Sequence, residues 1–187
     1  MRLALIAALL VSPAWAAETG IEFDALRTVV EFTLGDVLHT VHGTFKLRRG
    51  SIVFDPVTGK AGGSIVVDAR SGDSGSSARD KRMHKNILES ERFPEIAFVP
   101  DRVAGKLAPE GASEVQVHGQ FRIHGEDHEL TLPFQVQTAA GQLTATTHFG
   151  VPYVKWGMKN PSTFLLKVND TVDITIRAMG RVSGSAP

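Results

Sequence analysis

Apolar residues recur at every second position over most of this chain, and a period of two admits strands with one dry face and little else. Val30, Phe32 and Leu34 alternate with Glu31 and Thr33, and Val41, Phe45 and Leu47 alternate with His42, Thr44, Lys46 and Arg48. The pattern returns in Val115, Val117, Phe121 and Ile123, in Leu130, Leu132, Phe134 and Val136, in Leu143, Ala145, Thr147 and Phe149, and in Val172, Ile174, Ile176 and Ala178. With further runs at Ile52 to Asp55, Ser64 to Arg70 and Glu95 to Val103, the chain carries about eight to ten short strands, which predicts an all-β barrel or sandwich. Turn residues cluster at Asp55 to Gly59, Ala108 to Gly111 and Gly125 to Asp127. Such short links join antiparallel neighbours, since a parallel pair needs a crossover of about a dozen residues or more.

Two stretches break the alternation. Ser71 to Arg92 begins with the Gly/Ser-rich run SGDSGSS and continues into a charged helical pattern, for which Ser77 and Asp80 approximate a capping box. Met83, Ile87 and Leu88 give that helix, predicted over Ser77 to Ser90, a narrow apolar stripe suited to lying across a barrel opening. Gly150 to Lys167, rich in Gly, Pro and aromatics, is the second candidate for a mouth element.

The termini and composition set the compartment. Arg2, the apolar run Leu3 to Val11 and the small-residue site Ala14-Trp15-Ala16 read as a cleaved export signal, residues 1–16, leaving one domain over 17–187. The apolar run is shorter than the roughly 20 residues that span a bilayer, so no membrane span is expected. Cleavage removes Arg2 alone among the charged residues, leaving 19 basic against 20 acidic side chains. That balance argues against nucleic acid as a partner. The chain has no cysteine, hence no disulfide, thiolate nucleophile or lipidated anchor.

Reactive constellations are scarce. His118 and His124 share a strand face but stand about 20 Å apart at roughly 3.3 Å per residue. His39 and His42 point to opposite faces, and His124 and His128 flank a turn, so these read as polar-face and turn histidines and no metal is expected. Gly72-Asp73-Ser74-Gly75-Ser76 does not form a nucleophile elbow, and no phosphate loop or dinucleotide fingerprint occurs, so neither catalysis nor a cofactor is expected. Seven of the ten phenylalanines fall on strands: Phe32, Phe45, Phe54, Phe98, Phe121, Phe134 and Phe149. Periodicity leaves two readings open, an interior packed solid by its own side chains and a lumen that holds a ligand.

Arg79, Asp80 and His84 followed by Phe93-Pro94, the stretch VHGTFKLRRGSIVFDPVTG (Val41 to Gly59) and the stretch VHGQFRIHGEDHELTLPF (Val117 to Phe134) together resemble the YceI family of lipocalin-like, polyisoprenoid-binding proteins. The resemblance runs from about Ile21 to Val182. It implies a single antiparallel, lipocalin-like β-barrel of about eight strands with one short helix near an opening, located in the periplasm. It further implies non-catalytic binding or carriage of a long-chain amphiphilic lipid, the tail shielded by Phe32, Phe45, Phe98, Phe121, Phe134 and Phe149. A homodimer is compatible with it. Arg79, Asp80 and His84 carry two readings, contacts to a lipid head at the mouth or a helix-start carboxylate with a neighbouring arginine. The alternative from another class is a solid-cored stress or interaction barrel. SGDSGSS before Arg79, and Glu126 and Asp127 after His124, depart from the family pattern near the openings, so head-group preference does not carry over.

Overall fold

The computed structural model describes residues 18–35, 39–163 and 167–184. The export signal expected at 1–16 lies outside them. The described residues form nine strands: β1 (Thr19–Phe23), β2 (Val29–Gly35), β3 (Thr40–Phe54), β4 (Ala61–Asp73), β5 (Glu95–Gly105), β6 (Gly111–Ile123), β7 (Glu126–Ala139), β8 (Gln142–Val151) and β9 (Val172–Ser183). They run in the order β1-β3-β2-β9-β8-β7-β6-β5-β4, every pair is antiparallel, and β3–β4 pairing closes the sheet into a barrel.

β1 is an addition to the sequence reading, which began at Val30, and it does not widen the barrel. β1 and β2 occupy the same place in the wall, one beyond the other: Ile21 pairs with Ile52 and Val182, whereas Phe32 pairs with Gly43 and Ile174. Around any level there are thus eight strands, the number whose interior side chains nearly fill.

A β-bulge in β3 corrects the strand boundaries. Val41 to Arg48 and Ile52 to Asp55 are expected as separate strands, yet β3 is continuous, with a register shift between Leu47 and Arg49. The extra residue lets Arg48 and Arg49 both face solvent, where both bond Glu95 Oε1 at 2.9 and 3.2 Å, and it moves the inward set from Phe45 and Leu47 to Gly50, Ile52 and Phe54. β5 does the same between Pro100 and Arg102, turning Asp101 and Arg102 outward together.

The charged insert forms α1 (Ser77–Arg82), which widens into a π-helical turn at Met83–Ile87, short of the expected Ser90. The expected capping box is absent. Ser76 is the N-cap without a side-chain bond, and Asp80 instead accepts from the Ser74 amide and hydroxyl. We call the end of the barrel that carries α1 the upper end. Segments 74–94, 152–163 and 167–171 and the β6–β7 hairpin turn bound it, while among the described residues the lower end has the tight connections 55–60, 106–110 and 140–141.

Candidate ligand-binding cavity

Along the barrel axis the interior divides into two apolar chambers. The upper, about 130 Å³, is walled by Val30, Phe32, Phe45, Val67, Ile96, Phe121, Ile123, Phe149, Val151, Ile174 and Ile176, with no charged side chain in its lining. The lower, about 40 Å³, is walled by Ile21, Phe23, Ile52, Phe54, Val103, Val117, Phe134 and Leu143 among others. Of the six phenylalanines expected to line a lumen, Phe32, Phe45, Phe121 and Phe149 face the upper chamber and Phe134 the lower. Phe98 is buried but lines neither. It falls along β5 between Ile96 of the upper chamber and Val103 of the lower, paired with Ile65 and Phe121.

Phe98 therefore sits at a waist, and Phe23 reinforces it. The Phe23 ring lines the lower chamber and also packs against the cluster of Val30, Leu47 and Val67, of which Val30 and Val67 wall the upper one. It fits because Gly50 and Gly180 flank it: a Cβ on either would stand 3.2 Å from the ring. Strand alternation did not mark Phe23, because it ends the strand that the sequence reading left out.

Two segments cap the upper chamber. From the helical insert, Met83, Ile87 and Leu88 line it. The π-turn, closed by the Leu88 amide donating to the Met83 carbonyl at 2.9 Å, gives the i, i+4, i+5 spacing that turns all three inward. From the segment after β8 come Tyr153 and Met158, 5% and 3% exposed, so this expected mouth element is a deeply seated plug. Burial, with the Asp170 carboxylate adding to it, pushes the Tyr153 phenol up to about 12, and its hydroxyl donates to the Asn169 carbonyl at 2.6 Å.

Arg79, Asp80 and His84 lie together where β4 leads into the helix, with their hydrogen bonds directed inward to the chain. Arg79 donates to the Ser74 hydroxyl at 2.8 Å and carbonyl at 3.2 Å, and Asp80 receives the Ser74 amide at 2.9 Å. His84 Nε2 donates to the Gly72 carbonyl at 2.9 Å, which leaves Nδ1 to accept from the buried Ser90 hydroxyl at 3.1 Å. The bond to Gly72 ties the helix to the wall, and the others brace it against its own flanking residues Ser74 and Ser90.

The wall's pairing is short at β4–β5, where it runs only from Ile65↔Phe98 to Asp68↔Glu95, and at β7–β8. β7 and β8 pair only from Ala139↔Gln142 to Gln135↔Thr146, and β7 continues to Glu126 without β8 beside it in register. Pro133, which has no N–H to donate, lies just beyond the last pair. At the top of this seam Trp156 stacks on His128, ring centroids 3.9 Å apart and planes 7° from parallel, and also meets Phe121 at 5.9 Å. His128 is the cross-strand partner of inward-facing Phe121, so it belongs to the inner face of β7 rather than to a polar one. The alternation of Leu130, Leu132 and Phe134, extended one step back, reaches it. Trp156 had no comparable signal, being in an irregular segment.

Among the described residues no three His, Asp or Glu side chains converge to hold a metal ion, and no helix is long and apolar enough to cross a membrane. The YceI-like domain profile matches residues 22–179. No curated protein matches the chain by sequence. Among solved structures the chain is similar to Burkholderia cenocepacia BcnA, with 17% identity and a TM-score of 0.70 over 84% of this chain and 98% of that one. It is similar to a polyisoprenoid binding domain from Saccharophagus degradans implicated in plant cell wall breakdown, with 16% identity and a TM-score of 0.68 over 87% and 98% of the two chains. The Campylobacter jejuni YceI protein gives 11% identity and a TM-score of 0.55 over 100% and 94%. At these identities the likeness is one of fold.

Proposed function

This chain belongs to the YceI-like domain family, and from that premise we propose that it binds a long-chain amphiphilic lipid, polyisoprenoid or isoprenoid-quinone in kind, with the tail inside the barrel and no reaction catalysed. The observation that carries the proposal is the upper chamber, a cavity of about 130 Å³ without a charged lining residue and walled at its end by residues of two capping segments. An apolar cavity of this order stays dry and takes up apolar guests. Each tail CH2 moved out of water contributes about 0.8 kcal/mol, so about a dozen ordered carbons supply on the order of 10 kcal/mol before association costs. The Saccharophagus domain, described as polyisoprenoid binding, supports the ligand class. The signal-like residues 1–16 support a periplasmic carrier or sequestering role.

Size adds a condition. The resting chamber is near the volume of a void that accepts a benzene-sized guest, so a long tail needs the caps or the waist to give way. Met83 and Met158, unbranched and easily repacked, lie on both caps.

Organic extraction and mass spectrometry of protein purified from the periplasm without detergent, beside an unrelated exported protein prepared identically, tests the reading. A stoichiometric lipid establishes it and names the ligand. No lipid, and no uptake of offered polyprenols or quinones, returns the chain to the solid-cored interaction barrel.

A further inference from the structure

The top of the β6–β7 hairpin holds two histidine nitrogens without a hydrogen bond, one of them 3.5 Å from the Glu89 carboxylate. Nε2 of His124 and Nε2 of His128 are buried and have no hydrogen-bond partner among the described residues. A buried polar atom without a partner costs about 1–3 kcal/mol, so two on one short hairpin call for an explanation. His128 borders the upper chamber as the cross-strand partner of lining residue Phe121, and His124 stands in the turn just past lining residue Ile123. Each ring is held by aromatic contact, His128 flat on Trp156 at 3.9 Å and His124 against Phe93 at 4.8 Å. The backbone is shaped to permit this, with His124 at φ 53° and a Gly125 whose added Cβ would stand 2.5 Å from the Phe93 ring.

We infer that this corner, His124 and His128 at the top of the β6–β7 hairpin beside Trp156, is the polar head-group site of the lumen, built for an uncharged hydroxyl or carbonyl head. The inference rests on the lumen binding an apolar tail. A neutral imidazole nitrogen serves either as donor or as acceptor according to tautomer, which suits a hydroxyl that both gives and takes a hydrogen bond. The charge around the corner disfavours an anionic head. Glu89 Oε1 stands 3.5 Å from His124 Nε2, and the nearby cation, Arg92, lies 3.9 Å from Glu89 and 4.9 Å above the Phe93 ring. Phosphate there would meet a carboxylate first.

Three probes sharing one tail length test this: farnesol, farnesyl phosphate and the hydrocarbon farnesene, each titrated into wild type, His124→Phe, His128→Phe and Thr147→Val. Thr147 is the control, a buried hydroxyl inside β8 that also lacks a partner and that pairs with lining residue Ile176 on another part of the wall. In wild type farnesol binds more tightly than farnesyl phosphate. Each histidine variant weakens farnesol about fivefold, the worth of one hydrogen bond, and leaves farnesene within twofold, while Thr147→Val changes neither. Should a histidine variant fail to fold, ¹⁵N-histidine spectra of wild type carry the test: the Nε2 resonances shift with farnesol and stay with farnesene. Farnesol and farnesene weakening together, a loss confined to Thr147→Val, Nε2 resonances indifferent to farnesol, or phosphate preferred over alcohol each overturns the head-group site and leaves the lumen reading standing. Uptake of none of the three probes by wild type overturns the lumen reading and this site with it.

Discussion

The two ends of the barrel are built from the same alternating strands and differ in almost everything else. Below the waist, turns at 55–60, 106–110 and 140–141 bring strands together tightly, and about 40 Å³ is left inside. Above it, a helix and an aromatic plug accompany the β6–β7 hairpin turn, the β7–β8 seam is unpaired, and the void is about 130 Å³. Short turns leave a chain no material with which to cap a barrel; long connections supply movable side chains and can place unsatisfied polar atoms beside an apolar space. The contrast teaches that the lower half is the scaffold and the upper half the part free to take on function.

The sharpest way to break this division is to remove the waist. Phe23→Ala deletes the half-buried ring seated between Gly50 and Gly180, and is expected to cost less than the roughly 3–5 kcal/mol of a fully buried Phe→Ala change. We expect a denaturant midpoint lowered accordingly, together with uptake of longer tails as the chambers merge. A variant that keeps wild-type stability would mean the ring is not holding the halves apart.

Filling each chamber in turn gives opposite outcomes if the division is correct. Ile176→Trp places an indole in the upper void and is expected to reduce lipid uptake about a hundredfold with little change in melting temperature. Ala145→Phe overpacks the lower chamber, costing about 1–3 kcal/mol, and leaves uptake within a few fold. Uptake titrations and thermal melts on both proteins decide the matter, and the reverse pattern would place the tail in the lower half.

A smaller effect distinguishes the plug from the wall. Tyr153→Phe removes the bond to the Asn169 carbonyl, costing about 1 kcal/mol, and should speed lipid release measured by transfer to acceptor vesicles. The phenol adds a pH signature. Its folded pKa, about 12, exceeds the ordinary 10.0, so the unfolded chain ionises first and stability falls as pH climbs from 10 towards 12. Tyr153→Phe should flatten that fall, read as melting temperature against pH.

How much of this was visible beforehand follows from where period-two alternation operates. The inner faces of β2, β6, β8 and β9 were legible because one side of each is dry and the other wet, and so were the phenylalanines on them. Bulges hid the continuity of β3, because Arg48 and Arg49 side by side look like the end of a strand when both in fact turn outward to Glu95. The upper site was the least legible. Tyr153, Trp156 and Met158 sit in a segment without periodicity, and His128 is a polar residue in an inward position, a placement that alternation reads as an error or a turn. Residues that break the pattern are the ones that the folded barrel gathers at the upper corner.

The outer wall supplies the smallest test, because it asks whether pH acts on the scaffold without touching the chambers. His118 faces out from β6 between two carboxylates, Nδ1 at 2.6 Å from Asp101 and Nε2 at 2.9 Å from Glu129. The hydrogen bond to Asp101, then that to Glu129, raises its pKa above 6.5. A raised folded pKa means that the stabilisation is fully present below the unfolded value near 6.5 and fades as pH rises through the folded value. Because the group is exposed, salt screens much of the effect. An NMR titration should give His118 a midpoint above 6.5, and His118→Gln should abolish a shallow loss of stability on the alkaline side of that midpoint while lipid uptake stays constant. If uptake instead followed the His118 titration, the outer wall of the lower half and the upper chamber would be coupled, and the division between scaffold and binding end would not hold.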